Sequence, residues 1–284
     1  MPSLKEIKGH IASVKSTLKI TSAMKLVASA KLRKAQQAIE GMRPYERKLQ
    51  EMLARLTAQV GEPVPGPETS GEEKVAIVAF ASNSSLCGAY NANAVRLALE
   101  TIQSYGDAQV TVYSVGRKMA EAMKKVGHPS PADFHDLADK PSYAEAAALA
   151  GQLMEDFHEG RIDRVELVYN HFVSSGKQVP VRETFLPSTT VIPSEAKESE
   201  TDYILEPSAK ELLEELLPKS LKLKFYTALL DSNASEHAAR TVAMQTATDN
   251  GEDLLQELTL QYNKSRQQKI TAEILDLAGG SQEK

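Results

Sequence analysis

Residues 20–36, ITSAMKLVASAKLRKAQ, place small and apolar side chains at helical spacing in a strongly basic stretch. Positions 21, 25, 28, 32 and 35 recur at intervals of four and three residues, which puts them on one face of a helix. The stretch contains Lys25, Lys31, Arg33 and Lys34 and no acidic residue. We therefore expect a helix that buries one face and keeps a strong positive charge.

The same 3.5-residue repeat continues in both directions, over residues 3–58. Its sixteen positions form a seam, defined here as residues 4, 7, 11, 14, 18, 21, 25, 28, 32, 35, 39, 42, 46, 49, 53 and 56. Aliphatic side chains fill this seam except at Thr21, Lys25 and Glu46. A seam of this length predicts an N-terminal coiled-coil helix over residues 1–58, which needs a partner helix.

Three local features refine the prediction for this helix. Ser3 and Glu6 have the spacing of a capping box. Pro44 removes a backbone donor and predicts a local kink. Lys25 is unfavourable inside a continuous two-stranded seam. It predicts that the pairing loosens there, or that the partner helix no longer lies opposite it.

The pattern changes after the Pro- and Gly-rich stretch 61–73. Strand-like runs cover residues 75–81, 109–115 and 165–173, with a further extended segment near 178–191. Helix-like segments lie between them, at residues 91–104, 117–126 and 142–158. Strands that alternate with helices predict an α/β domain over residues 74–192, with a parallel or mixed sheet.

The C-terminal part, residues 208–284, predicts a second coiled-coil helix. Pro207 and Ser208 are typical of a helix start, and Pro218 predicts an interruption. Small residues crowd positions 232–253, which allows a partner helix to approach closely. The predicted fold is therefore α/β, with a long antiparallel coiled coil of the N- and C-terminal helices and an inserted Rossmann-like α/β domain.

Composition and charge narrow the class of protein. The 284 residues carry a net charge of −5, which argues against a nucleic-acid binder. The charge is uneven, because residues 1–58 contain twelve Lys or Arg and only four Asp or Glu. Cys87 is the single cysteine, which predicts a reducing, cytoplasmic compartment. The longest apolar run, residues 75–81, is far shorter than the ~20 residues of a membrane helix, and no secretory signal is expected.

The turn at residues 81–94, ASNSSLCGAYNANA, lies where a strand passes into a helix, a place where α/β domains often bind ligands. Ser84, Ser85 and Cys87 are candidate nucleophiles, but the nucleophile-elbow, dinucleotide and phosphate-loop motifs are absent from the sequence. A packed turn that caps the next helix is the favoured interpretation. The six histidines show no metal-ligand spacing, and His128 and His135 are predicted to lie in a solvated loop. We expect no catalytic residue, cofactor or metal.

The basic N-terminal block allows three interpretations from composition alone. It is a solvated helix face, a nucleic-acid-binding rod, or a surface for an acidic protein partner. The acidic remainder of the chain disfavours the second of these.

Three motifs, in order along the chain, resemble one known family. Residues 20–36 resemble the N-terminal signature of the γ subunits of F-type ATP synthases, and SSLCGAYNANA is similar to a loop of their central domain. Residues 235–275, from SEHAARTVAMQ to KITAEIL, resemble their C-terminal signature. The chain departs from the family pattern at Ser22, at Thr241 and at the first residue of the SLCG loop.

The resemblance implies a rotor shaft that performs no chemistry. Its implied partners are a hexamer of α and β subunits, the ε subunit and the ring of c subunits, with no nucleic acid and with membrane contact only through the complex. The implied location is the cytoplasmic face of the bacterial inner membrane. The implied partner contacts are Met24, Lys25, Lys31, Arg33, Lys34, Arg240, Gln267, Thr271 and Glu273. Ile270, Ile274 and Leu277 are the implied bearing tip.

Overall fold

The computed structural model describes residues 3–60, 73–106, 108–187, 206 and 208–280. It forms two compact units, which we name by their content. The helical unit comprises Met1–Ala28 and Arg240–Lys284, and the α/β unit comprises Ser29–Ala239. Two long helices contribute to both units, α1 (Leu4–Val60) and α6 (Ala209–Gly280).

Helix α1 confirms the predicted seam. Each of its sixteen positions is buried or half-buried. The predicted capping box is also present, since Ser3 N donates to Glu6 Oε2 at 2.8 Å and Glu6 N donates to Ser3 Oγ at 3.3 Å. The helix therefore begins where local sequence places it and buries the face that the repeat defines.

In the α/β unit the seam packs against α6 in two apolar clusters. Leu32 and Ala35 lie against Ala234 and Ala238, both fully buried small residues of α6. Farther along α1, three leucines pack against a second set on α6; the cluster comprises Leu49, Leu53, Leu56, Leu213 and Leu223. As the α1 number rises the α6 number falls, so the two helices are antiparallel, as predicted.

The prolines do not divide the helices. Helix α1 is continuous through Pro44, and α6 is continuous through Pro218, so the predicted interruption at Pro218 is wrong. A proline inside a helix costs about 3 kcal/mol. Leu213 and Leu221, on either side of Pro218, are buried in apolar clusters, and each buried leucine contributes roughly 1.5–3 kcal/mol. The packing of the flanking turns outweighs the local cost.

The sheet has four strands: β1 (Lys74–Phe80), β2 (Gln109–Val115), β3 (Arg164–Ser174) and β4 (Lys177–Leu186). Their order is β2-β1-β3-β4. Strand β1 is parallel to both β2 and β3, and β4 is antiparallel to β3. The predicted mixed sheet is confirmed, although part of the extended segment near 178–191 falls outside the described residues.

Helices cover both faces of the sheet. They are α2 (Tyr90–Ser104), α3 (Arg117–Lys125), α4 (His135–Asp139) and α5 (Tyr143–His158). Helices α2 and α3 pack on the face that carries Ile77, whereas α5 and α6 pack on the face that carries Val78 and Phe80. Phe225 and Leu229 of α6 are buried in that second core. The C-terminal helix is therefore one of the layers of the α/β unit.

The strand-end crevice and the exposed helix surfaces

Helix α6 fills the crevice at the carboxyl ends of β1 and β2, where Phe80 and Val115 lie. In α/β sheets ligands commonly bind in the crevice outside the carboxyl ends of the strands. Here Leu229, Ser232 and Asn233 of α6 line the crevice together with Phe80 and Tyr90, and the remaining cavity is about 10 Å³. A cavity of that size holds about one water molecule, whereas small-molecule sites need roughly 300–1,000 Å³.

Hydrogen bonds hold the filled crevice closed. The Tyr90 hydroxyl lies 2.7 Å from Ser232 Oγ and donates to Ser232 O at 3.0 Å. Asn233 Nδ2 donates to Ala138 O at 2.9 Å. Burial, and then the charge of Glu236, raise the pKa of Tyr90 far above its ordinary value. The neutral phenol is thus a structural donor that ties α2 to α6.

The turn at residues 81–94 is packed. Cys87 is 1% exposed, and Asn91 Nδ2 donates to its sulfur at 3.2 Å. Asn91 Oδ1 accepts from both the backbone and the side chain of Ser82, at 3.0 and 2.9 Å. The turn meets α2 through its backbone, since Tyr90 N donates to Cys87 O at 3.3 Å, whereas the N-cap residue Ala89 makes no side-chain cap.

The histidines also have local roles. His135, predicted in a loop, is the first residue of α4, and its Nδ1 lies 2.7 Å from Asp133 Oδ1. That hydrogen bond raises the pKa of His135 and lowers the pKa of Asp133. His128 is half-buried. In the part of the chain that the structure describes, no three His, Cys, Asp or Glu residues form a candidate metal site.

The helical unit overturns the prediction for Lys25. Lys25 Nζ donates to Gln245 Oε1 of α6 at 2.8 Å, so the partner helix lies opposite it and the pairing does not loosen. One turn away, Thr248 Oγ1 donates to Thr21 Oγ1 at 2.9 Å, and both threonines are buried. The two polar seam residues of this unit therefore have polar partners on α6. Those partners lie more than 200 positions away in sequence, where no local pattern indicates them.

The residues of the basic block lie in different surroundings. In the helical unit, Met24 and Lys25 are half-buried. In the α/β unit, Lys31 is exposed and its Nζ lies 3.8 Å from Asp139 Oδ1, and Arg33 and Lys34 are exposed. An exposed ion pair such as that of Lys31 contributes ~0–1 kcal/mol and is easily exchanged for another acidic partner.

The C-terminal contact residues divide into one that is buried and three that are exposed. Arg240 is 7% exposed. Gln267, Thr271 and Glu273 are exposed. Thr271 Oγ1 donates to Gln267 O at 2.9 Å, and Glu273 lies 3.8 Å from Lys269. The three exposed residues leave most of their polar groups open to a partner.

Large aliphatic side chains are exposed on both helices of the helical unit. Ile274 and Leu277 of the predicted tip are 59% and 77% exposed, and Ile270 is 44% exposed. Other exposed aliphatic residues of this unit were not predicted from the sequence; they are Ile20, Leu26, Val27, Val242, Leu254, Leu260 and Leu275. Ile20 and Val27 are seven residues apart and lie off the seam, which is the signal that could have revealed them. Exposed apolar groups at this density are typical of a protein interface.

A carboxylate cluster lies in the α/β unit, between the two apolar clusters that join α1 and α6. Glu46 of α1 is half-buried, and burial, followed by the charge of Glu183, raises its pKa. Asp231 of α6 accepts from Phe172 N at 3.2 Å and contacts His171 Nδ1. Burial raises the pKa of Asp231, and its contact with His171 opposes that rise. Lys224 Nζ lies 2.9 Å from Glu183 Oε1.

Comparison with protein families gives one family over nearly the whole chain. The family model described as ATP synthase matches residues 3–282. The ATP synthase gamma chain of Phocaeicola vulgatus is 57% identical, with 99% of each chain covered. The gamma chains of Bacteroides thetaiotaomicron and Flavobacterium johnsoniae are 54% and 43% identical, again with 99% of each chain covered.

Solved structures share the fold. The rotor of the Euglena gracilis mitochondrial ATP synthase matches with a TM-score of 0.65 and 21% identity, over 94% of this chain and 98% of that one. The central stalk and c-ring of the Tetrahymena thermophila enzyme match with a TM-score of 0.58 and 24% identity, over 80% and 99% of the two chains. Across the described ranges, no helix is both long and apolar enough to cross a membrane. The chain therefore belongs to the gamma subunits of the F-type ATP synthases.

Proposed function

We propose that this subunit couples the ion-driven rotation of a membrane ring of c subunits to conformational change at catalytic β subunits, during ATP synthesis or hydrolysis. The observation that carries the proposal is the exposed aliphatic end of α6, where Ile274 and Leu277 face solvent. Such side chains form no strong directional bonds, so they suit a surface that must turn against its surroundings.

The subunit itself is not a catalyst. The closed crevice supports this part of the proposal, because Leu229, Ser232 and Asn233 occupy a crevice outside the carboxyl ends of the strands, where α/β domains commonly bind ligands. The buried thiol of Cys87 supports it as well. Chemistry then belongs to other subunits of the complex, and this chain acts on them mechanically.

The proposed partners are the α and β subunits, the ε subunit and the c-ring. The basic and apolar surfaces of α1 and α6 face the hexamer, through Met24, Lys25, Lys31, Arg33, Lys34, Arg240, Gln267, Thr271 and Glu273. Weak, exposed charge pairs suit contacts that pass from one β subunit to the next. Along the sequence, the proposed shaft helices are residues 1–58 and 208–284, and residues 74–192 are the proposed segment that binds ε and the ring.

The proposed location is the cytoplasmic face of the bacterial inner membrane, where the subunit is held by the complex. Nucleic acid is not a proposed partner. The charge supports this, since residues 59–284 carry more acidic than basic side chains and would repel a phosphate backbone.

Reconstitution tests the proposal. The chain is mixed with α and β subunits from the same organism, and ATPase activity and rotation of an attached bead are recorded. Because Cys87 is buried, the bead is attached to Lys124→Cys on the exposed surface of α3, in a Cys87→Ala background. We expect assembly, ATPase activity that depends on the chain, and stepwise rotation. A chain that neither joins the hexamer nor alters its ATPase activity would refute the proposal.

A further inference from the structure

We propose that a polar layer in the helical unit sets the register of α1 against α6, so that the two helices turn together without sliding along each other. The layer consists of Thr21 and Lys25 on α1 and Gln245, Thr248 and Asp249 on α6. These are positioning residues, and their importance for torque rests on the proposed function.

The buried part of the layer is a pair of threonines. Thr21 and Thr248 are 8% and 7% exposed, and their hydroxyl oxygens are 2.9 Å apart. Each hydroxyl also lies near a carbonyl of its own helix: Thr21 Oγ1 is 3.2 Å from Leu18 O, and Thr248 Oγ1 is 2.8 Å from Met244 O. Because a hydroxyl has one donor and two acceptor sites, the proton of Thr248 is shared between Met244 O and Thr21 Oγ1, which accepts it.

The exposed part of the layer is a chain of three side chains. Gln245 accepts from Lys25 Nζ at 2.8 Å with its oxygen and donates to Asp249 Oδ1 at 2.6 Å with its nitrogen. The cation on α1 and the anion on α6 therefore fix the amide from both sides. Gln245 and Asp249 both lie on α6, so the bond from Lys25 to Gln245 is the part of this chain that depends on the alignment of the two helices.

A steric contact next to this layer, between Leu18 and Gly251, agrees with the same register of the two helices. A Cβ atom on Gly251 would lie 2.7 Å from Leu18 Cδ2, so the Leu18 side chain packs directly over this glycine and would have to shift to admit a larger residue. The pairs 18 with 251, 21 with 248 and 25 with 245 then follow one antiparallel alignment. Three kinds of contact, steric, hydroxyl and charged, agree on it.

The aliphatic seam alone would not select this alignment. A heptad seam matches itself again after a slide of seven residues, because apolar residues return to apolar positions. Such a slide moves Gly251 opposite Lys25 and Thr248 opposite Ala28, which separates both hydroxyls and breaks the Lys25 chain. A polar residue inside a coiled-coil seam is a well-attested means of fixing register, at some cost in stability.

The test uses the full chain with Cys87→Ala and measures register directly. Spin labels are placed at Lys8→Cys and Asn250→Cys, both exposed sites of the helical unit, and their distance is measured by pulsed electron resonance. The unaltered layer should give one narrow distribution. The quadruple variant Thr21→Val, Thr248→Val, Lys25→Leu, Gln245→Leu should give a second population, displaced by about 10 Å, the length of one heptad of helix.

The matched control is Thr17→Val with Thr246→Val, two exposed threonines whose hydroxyls donate only to their own helices in the described contacts, at 3.1 Å each. It should keep the single distribution. If the quadruple variant folds poorly, the pair Lys25→Leu with Gln245→Leu is measured in the same way. A single unshifted distribution in either altered layer overturns the proposal.

This measurement is independent of rotation. It is made on the chain alone. If the register shifts in the altered layer while the wild-type chain fails to rotate after reconstitution, the register proposal stands and the proposed function is refuted. If the wild-type chain rotates and the register of the altered layer does not shift, the proposed function stands and the register proposal is refuted.

Discussion

Glu46 places a carboxylate in a seam otherwise dominated by aliphatic residues. The groups that interact with it electrostatically are Arg43 on α1, Tyr169 on β3, Glu183 on β4, and Lys224 and Asp231 on α6. Lys224 is already engaged, since its Nζ lies 2.9 Å from Glu183 and 3.2 Å from Thr184 O. Burial and the two acidic neighbours therefore raise the pKa of Glu46, and the nearby cations only partly offset them.

The raised pKa predicts a pH-dependent stability. A carboxyl whose pKa is higher in the folded state stabilises the fold fully only below its unfolded pKa, and that contribution is lost as the pH rises through the folded pKa. Glu46→Gln stays neutral, so at pH 8 its free energy of unfolding should exceed that of the wild type, and its unfolding temperature should be higher. The difference in free energy should be less than about 1 kcal/mol, because solvent screens a half-buried group. At pH 4 the two should coincide. Exposed Glu40→Gln is the control, and an equal offset at both pH values for Glu46→Gln would contradict the prediction.

Gly116 is required by its backbone conformation and by its surroundings. Its φ is +98°, and a Cβ atom there would lie 2.2 Å from the carbonyl oxygen of Ala81. Gly116→Ala should therefore lower the free energy of unfolding by about 2–4 kcal/mol, measured by denaturant titration. Gly127 has a φ of +89° but open space around it. Gly127→Ala should cost only the conformational strain, about 1–2 kcal/mol. Equal losses in the two variants would show that the contact with Ala81 is unimportant.

At the scale of elements, the parts that sequence predicts are those determined by local spacing. The seam of α1 and the strands β1 to β3 follow from repeats of 3.5 and from buried apolar runs, which need no knowledge of the partner. The predictions of loosened pairing at Lys25 and of an interrupted helix at Pro218 are wrong for one reason. The cost of each residue depends on what lies opposite, Gln245 for the lysine and buried leucine clusters for the proline, and those residues come from other segments or from the tertiary packing.

Helix continuity through proline gives an element-scale prediction. Pro44 and Pro218 each remove a backbone hydrogen bond from a continuous helix. Pro218→Ala should raise the free energy of unfolding by about 1–3 kcal/mol, and Pro44→Ala, at an exposed position, by a similar or larger amount. Urea unfolding followed by circular dichroism measures both. A loss of stability in Pro44→Ala would mean that the helix at that point relies on the ring itself.

At the scale of the whole molecule, the fold was predictable to a greater degree than the interaction surfaces. The closed crevice could not be predicted, because Ser232 and Asn233 of α6 enter it only through tertiary packing. The proposed contacts came from resemblance, and the structure describes their surroundings: Arg240 is buried, Lys31 faces Asp139, and Glu273 faces Lys269. A contact with another subunit depends on residues outside this chain, so the sequence of this chain carries little signal of it.

Substitutions at the exposed end of α6 should affect assembly with the hexamer without affecting the stability of the isolated chain. Ile274 and Leu277 are 59% and 77% exposed, whereas Leu258, on the same helix, is 9% exposed. Ile274→Asp with Leu277→Asp should change the free energy of unfolding of the isolated chain by no more than about 0.5 kcal/mol for each substitution. The same variant should bind the α and β hexamer at least ~10-fold more weakly, because burying each aliphatic group is worth roughly 1.5–3 kcal/mol.

Leu258→Asp should show the opposite pattern in stability, losing about 3 kcal/mol or more in the isolated chain because it buries a charge in the helical unit. Denaturant titration of each chain, and titration of each chain into the hexamer, measure the two effects. If the double tip variant bound as tightly as the wild type, the exposed aliphatic residues would not form the bearing surface. Since their exposure is the observation that carries the proposed function, the mechanical role would then have to reside in the basic surface of α1.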